Sequence, residues 1–378
     1  MSVVADAGVQ PSVSQSEPEK VAILSVRQLM WLRFKRNRLA LVGAWVLIAM
    51  YLMALFAPFL APYGVRETHD AYASTAPHGL HLFDEAGNFH LRPFVYGLEA
   101  GVNPQTFRRE YTPNPEVMYP LNFWVEGQEY KLFGLFETNR HLFGVEEPGK
   151  LFILGTDQQG RDLLSRIIYG SQVSLTVGLV GVALSLIIGT VLGVATGYFG
   201  GWFDDVVQRI IEVLLAFPQI PLWLALAALV PPTWSSVRVF FGISIVLSLV
   251  NWGGLARQVR GMVFSLREET YIVAARYNNC SDWRIISQHL IPNTMSHVLV
   301  IATLAIPGMI LGETALSFLG LGIRPPMTSW GLLLNEAQHV RVLLQQPWLL
   351  TPAIFVVITI ISFNFLGDGL RDAADPFA

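Results

Sequence analysis

Apolar residues in this chain come in long runs, and the polar segments between the runs differ sharply in length. The first run covers 39–61. It is long enough to cross a hydrocarbon core of roughly 30 Å, which takes about 20 helical residues. Arg27, Arg33, Lys35, Arg36 and Arg38 form a basic collar before it, which places that end in the cytoplasm by the positive-inside bias. The run begins too far into the chain, and is too long, for a cleaved signal peptide. Five further runs, at 173–195, 206–230, 237–255, 298–319 and 349–366, read as spans. Counting alternately puts 257–297 and the C-terminus in the cytoplasm and 320–347 outside. Arg257, Arg260, Arg267, Arg276 and Arg284 then fall inside, and only Arg238, Arg324 and Arg341 lie at or in the short outer connections. The expected fold is an all-α polytopic membrane protein of six transmembrane helices with both termini cytoplasmic.

The polar segments divide the chain further. Residues 1–38 are a cytoplasmic tail whose first twenty residues are polar, Pro- and Ser-bearing, and expected to be disordered. Residues 62–172 are rich in aromatics, Pro and Gly and lack uncharged runs, so they read as a large extracytoplasmic insertion between the first two spans. Residues 173–372 make the main transmembrane domain, interrupted by a charged segment at 259–293, and 373–378 form a short tail.

Composition agrees: 52% of residues are hydrophobic and 14% charged, against about 25% charged in soluble domains. With 25 Lys and Arg against 28 Asp and Glu, nothing points to nucleic acid, and membrane lipid is the surrounding medium. The single cysteine, Cys280, cannot form an intramolecular disulfide or a thiolate metal cluster. His69, His78, His81, His90 and His141 are scattered through the insertion and read as ordinary side chains; no metal ligand is assigned. No nucleophile motif is visible, and the Gly149–Lys150 pair lacks the spacing of a phosphate-binding loop. The chain therefore reads as non-catalytic, with no cofactor of its own.

Pro218, Pro221 and Pro307 fall inside apolar runs, where each removes a backbone hydrogen bond. Such breakers fit plain bundle packing or a pathway that changes shape. Gly178, Gly181, Gly189 and Gly193 give the second span small residues for close helix approach. Glu212 and Glu313 lie near or within spans, where a carboxylate marks a pathway, an ion pair or an interface. Pro218, Pro221, Pro307 and Glu313 are the candidate pathway or gating residues.

The segment 267–292 is a polar island between apolar runs. Glu268 and Glu269 sit at the start of one short helix, where acids suit the dipole. Asn278 and Asn279 break the pattern, asparagine tolerating the left-handed conformation that ends helices. Ser281 is placed to cap a second helix with Asp282 in its first turn. That helix is expected to carry Trp283, Ile286 and Leu290 on one face until Pro292 stops it. Physics alone leaves two readings open, an amphipathic hairpin on lipid headgroups or a docking surface for a partner.

The island resembles the cytoplasmic coupling motif of bacterial ABC importer permeases, EAA, three residues, Gly, nine residues, Ile-x-Leu-Pro. Ala274, Ala275 and Pro292 match strictly, Asn279 stands at the Gly position, and Val273 and His289 depart from the pattern. Four other stretches are similar to dipeptide/oligopeptide permeases of the C-type. Gly155-Thr156-Asp157, Gly160-Arg161-Asp162 and Ser165-Arg166 precede the second span. Gly197-Tyr198-Phe199-Gly200-Gly201-Trp202-Phe203-Asp204 follows it. Glu313-Thr314-Ala315-Leu316-Ser317-Phe318-Leu319-Gly320 and Asn364-Phe365-Leu366-Gly367-Asp368-Gly369 lie further on. The insertion is longer than the family's usual loop.

The resemblance implies an inner-membrane permease subunit of an ATP-driven importer, for oligopeptides or similar solutes such as oligosaccharides or opine-like compounds. It implies a homologous second permease, one or two cytoplasmic ATPase subunits that bind ATP and Mg, and an outer solute-binding protein. The coupling residues it implies are Glu269, Ala274, Ala275, Arg276, Asn279, Ser281, Asp282, Trp283, Arg284, Ile286 and Pro292. Trp283 and Ile286 would enter a groove on the ATPase, with Arg276, Asp282 and Arg284 at its rim. The alternatives are a secondary, ion-coupled transporter and a membrane-bound hydrolase whose site would lie in the insertion.

Overall fold

A computed structural model of the chain describes residues 26–102, 104 and 109–374. Residues 1–25 of the expected N-terminal tail and 375–378 of the expected C-terminal tail lie outside the described residues. After α1 (Val26–Arg36), the Asn37 side chain accepts a hydrogen bond from Ala40 N at 3.1 Å and starts α2 (Arg38–Leu55). Phe56 interrupts the helix before one further turn, α3 (Ala57–Leu60). Together they form the first apolar segment.

The insertion corrects the expectation of an all-α chain. It holds β1 (His81–Phe83), β2 (Phe89–Val102) and β3 (Arg109–Pro120) in one antiparallel sheet, and β4 (Asn122–Leu132) and β5 (Phe136–Gly144) in a hairpin. The strands escape pattern reading because both faces are largely open. In β2 the buried residues Phe94, Val95 and Tyr96 are consecutive, and the ladder slips between Tyr96 and Gly97. Alternation of apolar and polar positions is what a half-buried strand would show. The small core under this region is Val95, Leu121 and Leu151.

α4 (Leu163–Phe199) begins ten residues before the expected span, because Asp162 caps it by accepting from Ser165 N at 2.8 Å. It runs 37 residues through the centre of the bundle. α5 (Gly201–Ala216) and α6 (Gln219–Ala227) follow, then α7 (Ser236–Leu266), the short α8 (Thr270–Tyr277) and α9 (Asp282–Ile285), and α10 (Ile291–Phe318). α11 (Trp330–Ala337) and α12 (Val340–Gln345) fill the next connection before α13 (Thr351–Ala374). The connection at 320–347 thus carries two helices.

Among the described residues, five helical segments are long and apolar enough to cross a membrane. A sixth arises if the bent pair α5–α6 is one span. The expected span at 206–230 is therefore not a straight helix: α5 and α6 meet at 96°. Pro218 sits at the bend with extended backbone, having no N–H to continue the helix, and Pro221 lies in the first turn of α6. Pro307 instead stays inside α10.

Glycines set how closely α4 approaches its neighbours. A Cβ on Gly193 would lie 2.6 Å from the Ala256 carbonyl of α7, and one on Gly178 would lie 2.8 Å from Ile310 of α10. Both are far inside contact distance, so glycine is required there. The bundle core around these contacts includes Leu175, Ile243, Leu247, Met309, Ile310 and Trp330.

Candidate coupling site

The island folds as α8, a tight turn and α9. Its turn has the bond pattern of a Schellman motif: Cys280 N donates to Ala275 O at 3.1 Å and Asn279 N to Arg276 O at 3.0 Å. Asn279 has φ 54°, the left-handed cap expected from its position in the sequence. Ser281 caps α9 by accepting from Arg284 N at 3.4 Å, a long bond. Glu269 is the N-cap of α8 but makes no side-chain capping bond.

The second helix does not stop at Pro292. Residues 286–290 are π-helical, and the Ile291 N–H reaches back five residues to the Ile286 carbonyl. Pro292 then falls in the first turn of α10, where a missing N–H costs little. The helical path from Asp282 to Phe318 is continuous over 37 residues. The wide turn also changes which side chains share a face. A π-turn aligns residues five apart, so Ile285 and Leu290 lie together and are fully buried. With Ile272 of α8 they pack on Val194, Val259 and Val263 at the ends of α4 and α7. The expected face of Trp283, Ile286 and Leu290 is thereby split. Trp283 is 75% exposed, Ile286 half-buried and Leu290 enclosed.

The charged residues of the island also divide. The Tyr198 hydroxyl at the end of α4 donates to Asp282 at 2.6 Å, and the Arg276 guanidinium lies 4.8 Å from the Tyr198 ring centre. Asp282 and Arg276 are exposed, yet both grip this chain's own α4. The Arg284 guanidinium donates to Gln288, one turn on, at 3.1 Å. Ala274 is exposed, while Ala275 packs toward the buried underside. The outward face is thus Ala274, Tyr277, Trp283 and Arg284, with Tyr277 85% exposed. Beside the island, Arg260 of α7 makes a two-pronged ion pair with Asp204 of α5, both bonds 2.5 Å. Arg267 donates to the Gly197 carbonyl at 3.1 Å. The sequence showed these residue types as motif letters, without their pairings.

Of the candidate gating residues, Glu313 has the most specific surroundings. It is fully buried and accepts from Ser317 Oγ at 2.7 Å and Ser174 Oγ at 3.1 Å. Those hydroxyls in turn accept from Ile323 N at 2.9 Å and Trp330 N at 3.1 Å. Glu313 thus ties α4, α10 and the start of α11 together. Glu212, by contrast, is exposed and pairs with Arg209 at 2.8 Å.

At the opposite end of α4, the stretch before the second span is a buried charge cluster. Asp157 accepts from Arg161 Nε at 2.7 Å and Arg166 Nη1 at 2.6 Å. Both arginines also reach Glu336 of α11, at 2.5–3.2 Å. Two cations thus neutralise two carboxylates across 170 residues of sequence. Burial pushes the neighbouring Asp162 carboxyl up to about 7 despite its bonds to Ser165. Glu336 was not picked out from the sequence, since nothing near it in the chain carries the partner charges.

The described architecture is that of a polytopic helical membrane protein with a helical elbow packed on the ends of its central spans. The model of the binding-protein-dependent transport system inner membrane component matches residues 189–378, and the N-terminal TM domain of oligopeptide transport permease C matches residues 25–77. The chain is 31% identical to the dipeptide transport system permease protein DppC of Alkalihalophilus pseudofirmus, over 97% of this chain and 95% of that one. It is 32% identical to DppC of Lactococcus lactis over 97% and 96%. With the oligopeptide transport system permease protein OppC of Haemophilus influenzae it shares 44% identity over 59% and 69%. The chain belongs to the family of binding-protein-dependent transport inner-membrane components and is an importer permease subunit. The two DppC alignments take in the insertion, so relatives of nearly the same aligned length exist beside those matched over a shorter stretch.

Proposed function

We propose that this permease forms half of the translocation pathway of an ATP-driven importer in a bacterial inner membrane. In this reading six spans leave both termini in the cytoplasm and the insertion outside, with α5–α6 counted as one bent span. A second permease completes the pathway, and a solute-binding protein delivers cargo to the outer face. ATP and Mg belong to cytoplasmic ATPase subunits, and this chain does no covalent chemistry. The relatives' names, dipeptide and oligopeptide permeases, favour peptide-like solutes.

One observation carries the coupling assignment: the island has a buried apolar underside against α4 and α7 and an outward face of Ala274, Tyr277, Trp283 and Arg284. An apolar anchor rimmed by polar groups suits docking to a protein groove. Because the helix runs unbroken from Asp282 to Phe318, a push on that face moves α10 with it. Glu269, Asn279, Ser281 and Pro292 then shape the elbow, Arg276 and Asp282 hold it to α4, and Ile286 stands at its edge. Pro218, Pro221, Pro307 and Glu313 belong to the moving pathway. Ala274→Arg tests this in vesicles reconstituted with the ATPases and binding protein. Uptake should fall at least tenfold while the subunit still inserts; unchanged uptake and ATPase stimulation would remove the docking assignment. A tenfold loss corresponds to about 1.4 kcal/mol of coupling, well within what a bulky charge at a packed contact takes away.

A further inference from the structure

The hairpin β4–β5 has no role in the reading above, yet it carries a dense exposed apolar group. Phe123, Trp124, Phe133, Leu135 and Phe136 are each between 50% and 79% exposed. Scattered apolar side chains need no explanation; Phe133, Leu135 and Phe136, grouped at one hairpin turn, mark an interaction surface. The hairpin's position says which one. Its turn residue Phe133 packs edge-on against Phe56 at 5.7 Å, and Trp124 lies 5.4 Å from Phe59, both at the end of the first apolar segment. His141 of β5 places Nδ1 2.6 Å from the Ala61 carbonyl and Nε2 3.2 Å from the Gln128 carbonyl, fastening the hairpin there.

α2 is 18 residues long, about 27 Å at 1.5 Å per residue, so its far end stands at the opposite membrane surface from the basic collar. Leu52 and Leu55 on the last turn of α2 are 48% and 52% exposed, and this apolar stripe continues onto the hairpin turn. Trp and Tyr concentrate at that depth in membrane proteins, and Phe and Leu are the side chains that interfacial segments turn toward lipid. We infer that the β4–β5 hairpin lies in the outer headgroup layer as an interfacial lipid anchor, inserting Phe133, Leu135 and Phe136. Lys131, paired with Glu137 at 2.8 Å across the neck of the hairpin, marks where the polar part begins. The occupant is lipid rather than protein because the patch continues the stripe of a spanning helix.

The inference rests on the proposed placement of the first span, and the test separates the two. In the full importer in proteoliposomes, with Cys280→Ser as background, Leu135→Cys carries an environment-sensitive fluorophore. Lipid with a nitroxide near the headgroup should lower its emission, since interfacial segments bury their apolar face about 5–10 Å into the headgroup boundary, and aqueous iodide should leave it largely unchanged. Iodide quenching without nitroxide quenching would overturn the anchor. Protection from both quenchers would also overturn it, since a protein partner would then cover the face. Sidedness is read separately on a Glu129→Cys variant without fluorophore, in the exposed polar part of β4, by adding a membrane-impermeant maleimide outside: failure to label there while nitroxide quenching at Leu135→Cys persists refutes the topology and leaves the anchor standing.

Discussion

The two ends of α4 are held in different ways. At the end beside the insertion, Asp157, Arg161, Arg166 and Glu336 form a closed charge cluster, with Arg166 almost wholly buried. At the end beside the island, the polar grip is Tyr198 between Arg276 and Asp282, both exposed, with Arg267 on the Gly197 carbonyl, over an apolar seat. Buried charges that lose a partner are expensive, because the remaining charge has no water to turn to. Exposed polar contacts exchange with solvent at small cost. One end of the central helix is thus fixed, and the other is held loosely enough to be displaced. A subunit that passes a push from a cytoplasmic surface into the bundle needs that asymmetry.

Arg166→Ala should break the comparison most severely. It leaves Asp157 and Glu336 with Arg161 alone, and the expected loss is roughly 3–5 kcal/mol, read as a lower unfolding temperature of the purified subunit in detergent. Tyr198→Phe keeps the ring beside Arg276 but removes the hydroxyl bond to Asp282. It should cost about 1 kcal/mol, with faster amide exchange in 270–290 and an unchanged unfolding temperature. If Tyr198→Phe were as damaging as Arg166→Ala, the two ends would not differ.

A further test concerns pH at the fixed end. The folded state raises the Asp162 pKa from 3.8 to about 7, so it binds more protons than the unfolded chain between those values. Stability from this group is therefore greatest below pH 4, declines as pH rises through that window, and is level above 7. Asp162→Asn should flatten this part of the profile, read as the difference in unfolding temperature between wild type and variant at pH 4.5 and 7.5. Parallel curves would contradict the assignment.

The spans were legible because apolar runs of that length have few alternatives, and the capping roles of Asn279 and Ser281 followed from local chemistry. Three features were hidden for definite reasons. The π-turn at 286–290 shifts the helical phase, so a face read as Trp283, Ile286 and Leu290 becomes Ile285 and Leu290 buried with Trp283 outside. The strands of the insertion carry no alternation, since much of their surface is open on both sides. Glu336 pairs with arginines 170 residues away, and no local signal connects them. Long-range charge pairing is a property of the packed bundle and leaves no trace in neighbouring letters.

The central claim is that the outward face of the island is a cytoplasmic docking surface. Cys280 is partly buried, so Tyr277, 85% exposed, is the better reporter. In a Cys280→Ser background, Tyr277→Cys should react with an impermeant thiol reagent only from the cytoplasmic side of membrane vesicles, and assembly with the ATPase subunits should protect it. Reaction from the outer side, or undiminished reaction in the assembled importer, would contradict the account.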